Sequence, residues 1–248
     1  MTITKSKHEI DLMREAGKVI AHCHEELANF IRPGISTHQI DQFVEDFITK
    51  HNMVPAQKGY HGYPFASCTS VNDVVCHGFP GDYRLKDGDI ITVDMVTLHK
   101  GVHADSAWSY AVGNISDEAR RLMEVTERSL FVGIEQAVVG NQISDIGHAI
   151  QTYVEGEGFA VVRDFIGHGI GREMHESPEV LHYGPPHKGP RIKKGMTFTI
   201  EPMVNVGTYE VKVDDDGWTA RTADGSWSIQ YEHTLAITDN GPEILTQL

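Results

Sequence analysis

Apolar side chains recur every three or four positions through the first segment of the chain, at Ile10, Met13, Ala16, Ile20, Cys23, Leu27 and Phe30. That spacing predicts an amphipathic helix over residues 7–31. Arg32-Pro-Gly-Ile-Ser36 ends it, and Ser36 or Thr37 can cap a second helix reaching Lys50. A similar pattern returns roughly 106–110 residues later, the mark of an internal duplication. Ser116-Asp-Glu-Ala begins a helix carrying Leu122, Met123, Val125, Leu130 and Ile134. Val139-Gly-Asn-Gln-Ile-Ser144 then resembles Pro33-Gly-Ile-Ser36, and a further helix follows to Glu155. Strand-like stretches follow each helix pair, near 64–76, 89–98 and 102–112, then near 160–166, 196–206, 209–213 and 227–238. No flexible linker separates the halves. The expectation is an α+β fold with two related halves, about 7–115 and 116–248, in one catalytic domain spanning 1–248, with a site between them.

Three of these strands are interrupted by acid. Asp94 sits in Asp89-Ile-Ile-Thr-Val-Asp94-Met-Val-Thr-Leu98, Glu201 in Met196-Thr-Phe-Thr-Ile-Glu201-Pro202, and Glu232 in Trp227-Ser-Ile-Gln-Tyr-Glu232-His-Thr-Leu-Ala-Ile237. A carboxylate inside a buried strand is costly unless something neutralises it. One such residue could be an edge position or a salt-bridge partner; three in one chain suggest a shared cation. Asp105 joins them if the turn at Leu98-His-Lys-Gly101 closes a hairpin. A two-residue loop at His99-Lys100 places Asp94 directly opposite Asp105, whereas a three-residue loop with a glycine bulge offsets the pair by one. His168, in Ile166-Gly-His-Gly-Ile-Gly171, has glycines on both sides that permit close backbone approach. Four carboxylates and one imidazole form a hard O/N ligand set suited to Mn, Fe, Co or Zn, and to a pair of ions better than to one.

Composition narrows the partners. Lys and Arg number 21 against 35 Asp and Glu, a net charge of −14, and no basic run stands out. Neither nucleic-acid readout nor an anionic membrane surface is expected. Cys23, Cys68 and Cys76 are too few and too irregular for a disulfide framework and read as small buried residues. The first ten residues lack the apolar core of a signal peptide, and no apolar run approaches a membrane span. A cytoplasmic location is the expectation.

The segments Tyr60-His-Gly-Tyr63, Ser70-Val-Asn-Asp-Val-Val-Cys-His77-Gly, Val93-Asp94, His103-Ala-Asp105-Ser-Ala, Gly167-His168-Gly-Ile-Gly-Arg-Glu-Met-His175-Glu, Phe198-Thr-Ile-Glu201-Pro-Met and Gln230-Tyr-Glu232-His-Thr together resemble the type I methionine aminopeptidases of short bacterial type. The resemblance covers essentially the whole chain. It implies the pita-bread (creatinase/aminopeptidase) fold, two pseudo-symmetric helix-plus-antiparallel-sheet halves around a dinuclear metal site. Asp94 would chelate one ion, Asp105 and Glu232 would bridge both, and His168 and Glu201 would complete the other. His77 and His175 match two substrate-contacting histidines, and Tyr60, Tyr63, Cys68 and Trp218 match positions of the methionine pocket. The implied reaction is hydrolysis of the first peptide bond of a chain that begins with methionine, preferentially before a small second residue. Metal-activated water would attack, His175 would stabilise the oxyanion, Glu201 would shuttle the proton, and His77 would sit near the leaving group.

Nascent polypeptide N-termini, and the ribosome that delivers them, are the partners this resemblance implies, with the chain acting as a monomer. Three positions depart from the family pattern and bear on pocket shape: Gln57 stands where some relatives carry cysteine, Met174 where an aromatic residue is common, and Phe65 where a polar one is usual. Three rival readings are disfavoured. Proline-directed peptidases of the same fold usually carry a long N-terminal domain, whereas here the first helix starts within ten residues. A non-catalytic binding module would have lost metal ligands, and a structural metal protein would not need His77 and His175.

Overall fold

The computed structural model describes residues 3–248. Its first half runs α1 (Lys7–Phe30), α2 (Thr37–Lys50), β1 (Val54–Pro55), β2 (Ser67–Val71), β3 (Val74–Cys76), β4 (Ile90–His99) and β5 (Val102–Ala111). The second begins α3 (Asp117–Gln136), α4 (Ile143–Gly156), β6 (Ala160–Val161), β7 (Gly167–Gly169) and β8 (Glu176–Val180). It continues with β9 (Thr197–Ile200), β10 (Met203–Asn205), β11 (Val211–Val213), β12 (Ala220–Thr222), β13 (Ser228–Gln230), β14 (His233–Thr238) and β15 (Gly241–Ile244). The sheets contain antiparallel pairs throughout, the largest ordered β15-β14-β9-β7-β8.

Local chemistry sets the helix ends. The Ser6 hydroxyl accepts from the Glu9 amide and the Glu9 carboxylate accepts from the Ser6 amide, a reciprocal cap that fixes the start of α1. Ser36 and Gln39 do the same for α2, and Ser116 caps α3. The start of α4 differs from expectation: the helix begins before Ser144, because the Asp145 carboxylate accepts from the Gln142 amide and makes Gln142 the cap. The periodic apolar faces are the buried ones. Ala16, Ile20, Cys23 and Leu27 of α1 pack with α2 over β4 and β5, Met13 packs with Ile170, Ala236 and Leu245, and Leu122, Val125, Leu130 and Ile134 of α3 pack with α4 over β9 and β14.

The duplication is visible bond by bond. The Gly34 amide donates to Leu85 and the Gly140 amide to Ile192; the Arg84 guanidinium donates to the Gly34 carbonyl at 2.8 Å and that of Arg191 to the Gly140 carbonyl at 2.9 Å. Arg191 follows Arg84 by 107 residues, and the same offset carries Asp94 onto Glu201. Two of the strand-interrupting acids therefore occupy equivalent places in the two halves.

The β4–β5 hairpin corrects the expected register. Its loop is Lys100-Gly101, with φ of +47° and +87°, and His99 pairs with Val102. Both loop residues take the left-handed conformation of a two-residue turn, which glycine adopts without strain. Asp94 consequently faces Ala107, and Asp105 faces Val96. The shift from the expected pairing is two residues, an even number, so both carboxylates keep the same face as diagonal neighbours. Other boundaries also moved. The stretch 160–166 forms a strand only at Ala160–Val161, and the first strand of the hairpin β7–β8, Gly167–Gly169, is too short to announce itself by alternation.

Candidate metal centre

The two longest predicted strands of the second half are each broken at their acid. β9 pairs with β14 through His233 opposite Ile200, and β10 pairs with β13 through Met203 opposite Gln230. Both ladders share one register, and continuing it sets Glu201 across from Glu232 in the gap between them. Pro202 cannot donate to a ladder, so the gap is written into the chain. The Glu232 amide donates to the Ala107 carbonyl at 2.8 Å, and the Ser106 hydroxyl to the Glu232 carbonyl at 2.9 Å, fastening this gap to β5. The Thr234 hydroxyl accepts from the Asp105 amide at 3.0 Å and donates to the Asp105 carbonyl at 2.8 Å. Through these bonds Asp105 and Glu232, remote in sequence, come from adjoining strands of opposite halves.

His168 reaches the same point from β7. A Cβ at Gly167 would lie 2.6 Å from the Thr199 carbonyl oxygen, and one at Gly169 would lie 2.4 Å from that of Ser177. The flanking glycines are therefore required by close backbone approach on both sides. The His168 Nδ1 lies 3.0 Å from the Gly169 carbonyl, which can only accept, so the proton belongs on Nδ1. The Nε2 lone pair is left facing carboxylates, 3.7 Å from Asp105 Oδ2 and 3.6 Å from Glu201 Oε1. One ligand atom each from Asp105, His168 and Glu232 lie within 4.8 Å of one another. Asp94 is in direct side-chain contact with Asp105, and Asp105 with Glu232.

The electrostatics fit a cation. Among the described residues, no Lys or Arg forms an ion pair with any of the four carboxylates. Asp105 Oδ1 and Glu232 Oε1 are buried without a hydrogen-bond partner, a costly state that a bound ion relieves. Burial raises Asp94 to about 7, against hydrogen bonds from Asp105 and Gln57 that lower it. Burial raises Glu201 to about 8, with the Asp94 charge adding to it and the Thr199 hydroxyl opposing it. Asp105 and Glu232 are pushed well above the carboxylate range by burial and by their acidic neighbours. Burial and the nearby His175 hold His168 down to about 3, keeping it neutral. Neutral imidazole and crowded carboxylates form the donor set that a divalent ion would organise.

These residues line a cavity of about 300 Å³ that contains every nominated site residue: Asp94, Asp105, His168, Glu201 and Glu232, with His77, His175, Tyr60, Tyr63, Cys68 and Trp218. The His175 ring lies 4.1 Å from that of His168, and its Nδ1 is 2.8 Å from the Tyr60 hydroxyl. His77 has φ of +55°, a left-handed conformation that costs a non-glycine residue about 1–2 kcal/mol. It meets Phe165 and Trp218 edge-on, with ring centres 5.3 and 6.2 Å away. Burial, then the His175 neighbour, lowers His77 to about 4. Tyr63 is buried edge-on against Trp218 and donates to the Ser67 carbonyl at 3.0 Å. Cys68 pairs directly across the sheet from Asp94.

Sequence reasoning passed over the residues that hold the ligands. The Thr199 hydroxyl donates to Glu201 Oε1 at 2.7 Å and accepts from the His168 amide at 3.0 Å, coupling two candidate ligands through one buried side chain. Its signal was available: residues two apart on a strand share a face, and Thr199 precedes Glu201 by two. Gln57 donates to Asp94 Oδ1 at 3.3 Å. Gln57 and Met174 line the cavity, whereas Phe65 packs outside it, edge-on against Tyr63 and Phe79.

Comparison with known proteins agrees with this architecture. Residues 11–239 match the model of metallopeptidase family M24. The chain is 54% identical to methionine aminopeptidase of Clostridium perfringens over 99% of each chain. It is 52% identical to methionine aminopeptidase 1 of Bacillus subtilis over 100% of each. The crystal structure of methionine aminopeptidase from Thermotoga maritima superposes with a TM-score of 0.98 at 42% identity, covering 100% of both chains. A Xaa-Pro dipeptidase of Bacillus anthracis shares the fold at a TM-score of 0.78 and 21% identity, the chain covering 62% of it. With its pita-bread fold and full-length likeness to these enzymes, the chain belongs to metallopeptidase family M24, among the methionine aminopeptidases.

Proposed function

We propose that this cavity would take two divalent ions, Asp94 serving one, His168 and Glu201 the other, and Asp105 and Glu232 both. The chain is a metal-dependent hydrolase that removes the N-terminal methionine of peptides and proteins. The observation that carries the ligand assignment is the convergence of four carboxylates and a neutral imidazole on one cavity with no Lys or Arg, two of the carboxylate oxygens being buried without a partner. When bound, such ions supply Lewis acidity, making water more acidic and a carbonyl more electrophilic.

The protein's own groups do the rest. The methionine side chain enters among Tyr60, Tyr63, Cys68 and Trp218, where a thioether gains dispersion and sulfur–aromatic contacts. His175, oriented by the Tyr60 hydroxyl, faces the cavity from beside His168 and donates a hydrogen bond to the developing oxyanion. Glu201, held through Thr199, takes a proton from water and delivers it to the leaving amine. His77 stands on the leaving-group side. The reading includes a small second residue in the substrate, nascent chains as substrates, a cytoplasmic location, and a single catalytic domain acting as a monomer. To test it, metal-stripped protein is incubated with Met-Ala-Ser and with Xaa-Pro peptides, adding back Mn, Fe, Co or Zn. Free methionine should appear from the first substrate only; its absence with every metal refutes the reading.

A further inference from the structure

One ion pair outside the metal centre is almost wholly removed from water. Lys5 Nζ lies 2.6 Å from Glu176 Oε2, with side-chain exposures of 1% and 4%. The partners are far apart in sequence: Lys5 precedes α1, and Glu176 follows His175 directly. Burying both charges costs several kcal/mol, which ordinary surface pairs never incur. Stability alone is a poor reason for such a pair, because apolar replacements of both partners commonly serve as well.

The surroundings indicate what the pair holds. Glu176 Oε1 accepts from the Glu173 amide at 3.1 Å, so one carboxylate ties Lys5 to the backbone of the loop from Gly171 to Glu176. The Gly171 amide donates to the Glu173 carbonyl at 3.0 Å and closes that loop on itself. A Cβ at Gly171 would lie 1.9 Å from Lys5 Cε, so the lysine stem packs flat against the loop's first residue. On the far side, the Gly171 carbonyl accepts from the His103 amide at 2.7 Å, and the His103 Nδ1 lies 3.0 Å from it. The Lys5 amide itself donates to the Gly195 carbonyl at 2.7 Å, anchoring the segment from which the side chain reaches. Met174 and His175, the loop residues that line the cavity, are thus suspended between fixed ends.

We propose that Lys5 and Glu176 form a positioning pair that sets the height of His175 over the cavity. The inference rests on the oxyanion role given above to His175. Residues 3–6 are on this account a strap across the catalytic loop, and neither Lys5 nor Glu176 touches the substrate. A displacement of about 1 Å in a catalytic group is enough to cost two orders of magnitude in turnover.

The test separates positioning from stability. Lys5→Met leaves Glu176 buried without its partner and should lower both thermal stability and kcat. Lys5→Met/Glu176→Met removes both charges and should regain most of the stability. Its kcat on Met-Ala-Ser should stay at least tenfold below the parent, with KM within about twofold and metal content full. If kcat recovers together with stability, the pair is merely structural and the proposal is overturned. A cycle with His175→Ala identifies the residue acted upon. The double replacement should change kcat by less than twofold in that background; an undiminished tenfold loss overturns the proposal. His175→Ala alone tests the earlier reading, since full activity in that variant removes its oxyanion role whatever Lys5 does.

Discussion

Stripping the metal and raising the pH from 6.5 to 8.5 should destabilise the chain by at least about 1 kcal/mol. The perturbation acts on carboxyl groups that burial holds partly protonated. Asp94 titrates at about 7 and Glu201 at about 8 in the folded chain, against 3.8 and 4.5 when unfolded. Groups raised on folding contribute stability that is complete below the unfolded pKa and is lost as pH rises through the folded value. Over this window the unfolded carboxyls are already ionised and the folded ones are losing their protons. Integrating the linkage gives about 1 kcal/mol from Asp94 and about 2 kcal/mol from Glu201, and Asp105 and Glu232, pushed well above the carboxylate range, add to the loss. The buried histidines oppose this: His24, His77, His168, His182 and His233 are lowered to about 3 or 4 by burial while their unfolded forms are still half-protonated at pH 6.5, so together they return about 2 kcal/mol over the window. The assay is urea unfolding of chelator-treated protein at pH 6.5, 7.5 and 8.5, repeated with excess Mn. Added metal should reverse the trend, because ligands must ionise to bind it. Metal-free stability that stays flat or rises across the window would refute the electrostatic reasoning.

Other outcomes follow from single side chains. Thr199→Val removes the donor to Glu201 and leaves the buried His168 amide unpaired, so it should cost about 1–3 kcal/mol. The same change should weaken metal binding about 10–100-fold by calorimetry; unchanged affinity would show that Thr199 does not hold the ligands. Gly169→Ala should destabilise the chain by about 1–3 kcal/mol and lower metal affinity, because its Cβ meets the Ser177 carbonyl. Wild-type values for that variant would mean the backbone yields freely there. His77→Ala should slow turnover while metal stays bound, and loss of metal would place His77 among the ligands instead.

The halves of the fold were legible because each helix pair repeats a three-to-four-residue apolar spacing and a serine-type or glutamine cap. The candidate metal centre could be nominated because Asp94, Glu201 and Glu232 stand where buried strands tolerate no lone charge. What escaped was whatever depends on register and on contacts between remote segments. The hairpin loop sits at Lys100-Gly101 rather than His99-Lys100, and the even shift spared the facing of Asp94 and Asp105. β7 is three residues long and two of them are glycine, so the strand that carries His168 had no alternating pattern of its own. Lys5 looked like an ordinary charged residue ahead of a helix; only folding reveals that it is buried against Glu176. His77 and His175 were legible by resemblance alone, because both fall outside the predicted strands, where a polar residue signals costly burial.

The most direct test of the account is the number of ions bound per chain. Calorimetric titration of metal-free protein with Mn, checked by elemental analysis, should give two ions per wild-type chain, and Asp105→Asn should lose metal and activity together. A single ion at saturation, or full occupancy in Asp105→Asn, would contradict the bridged centre.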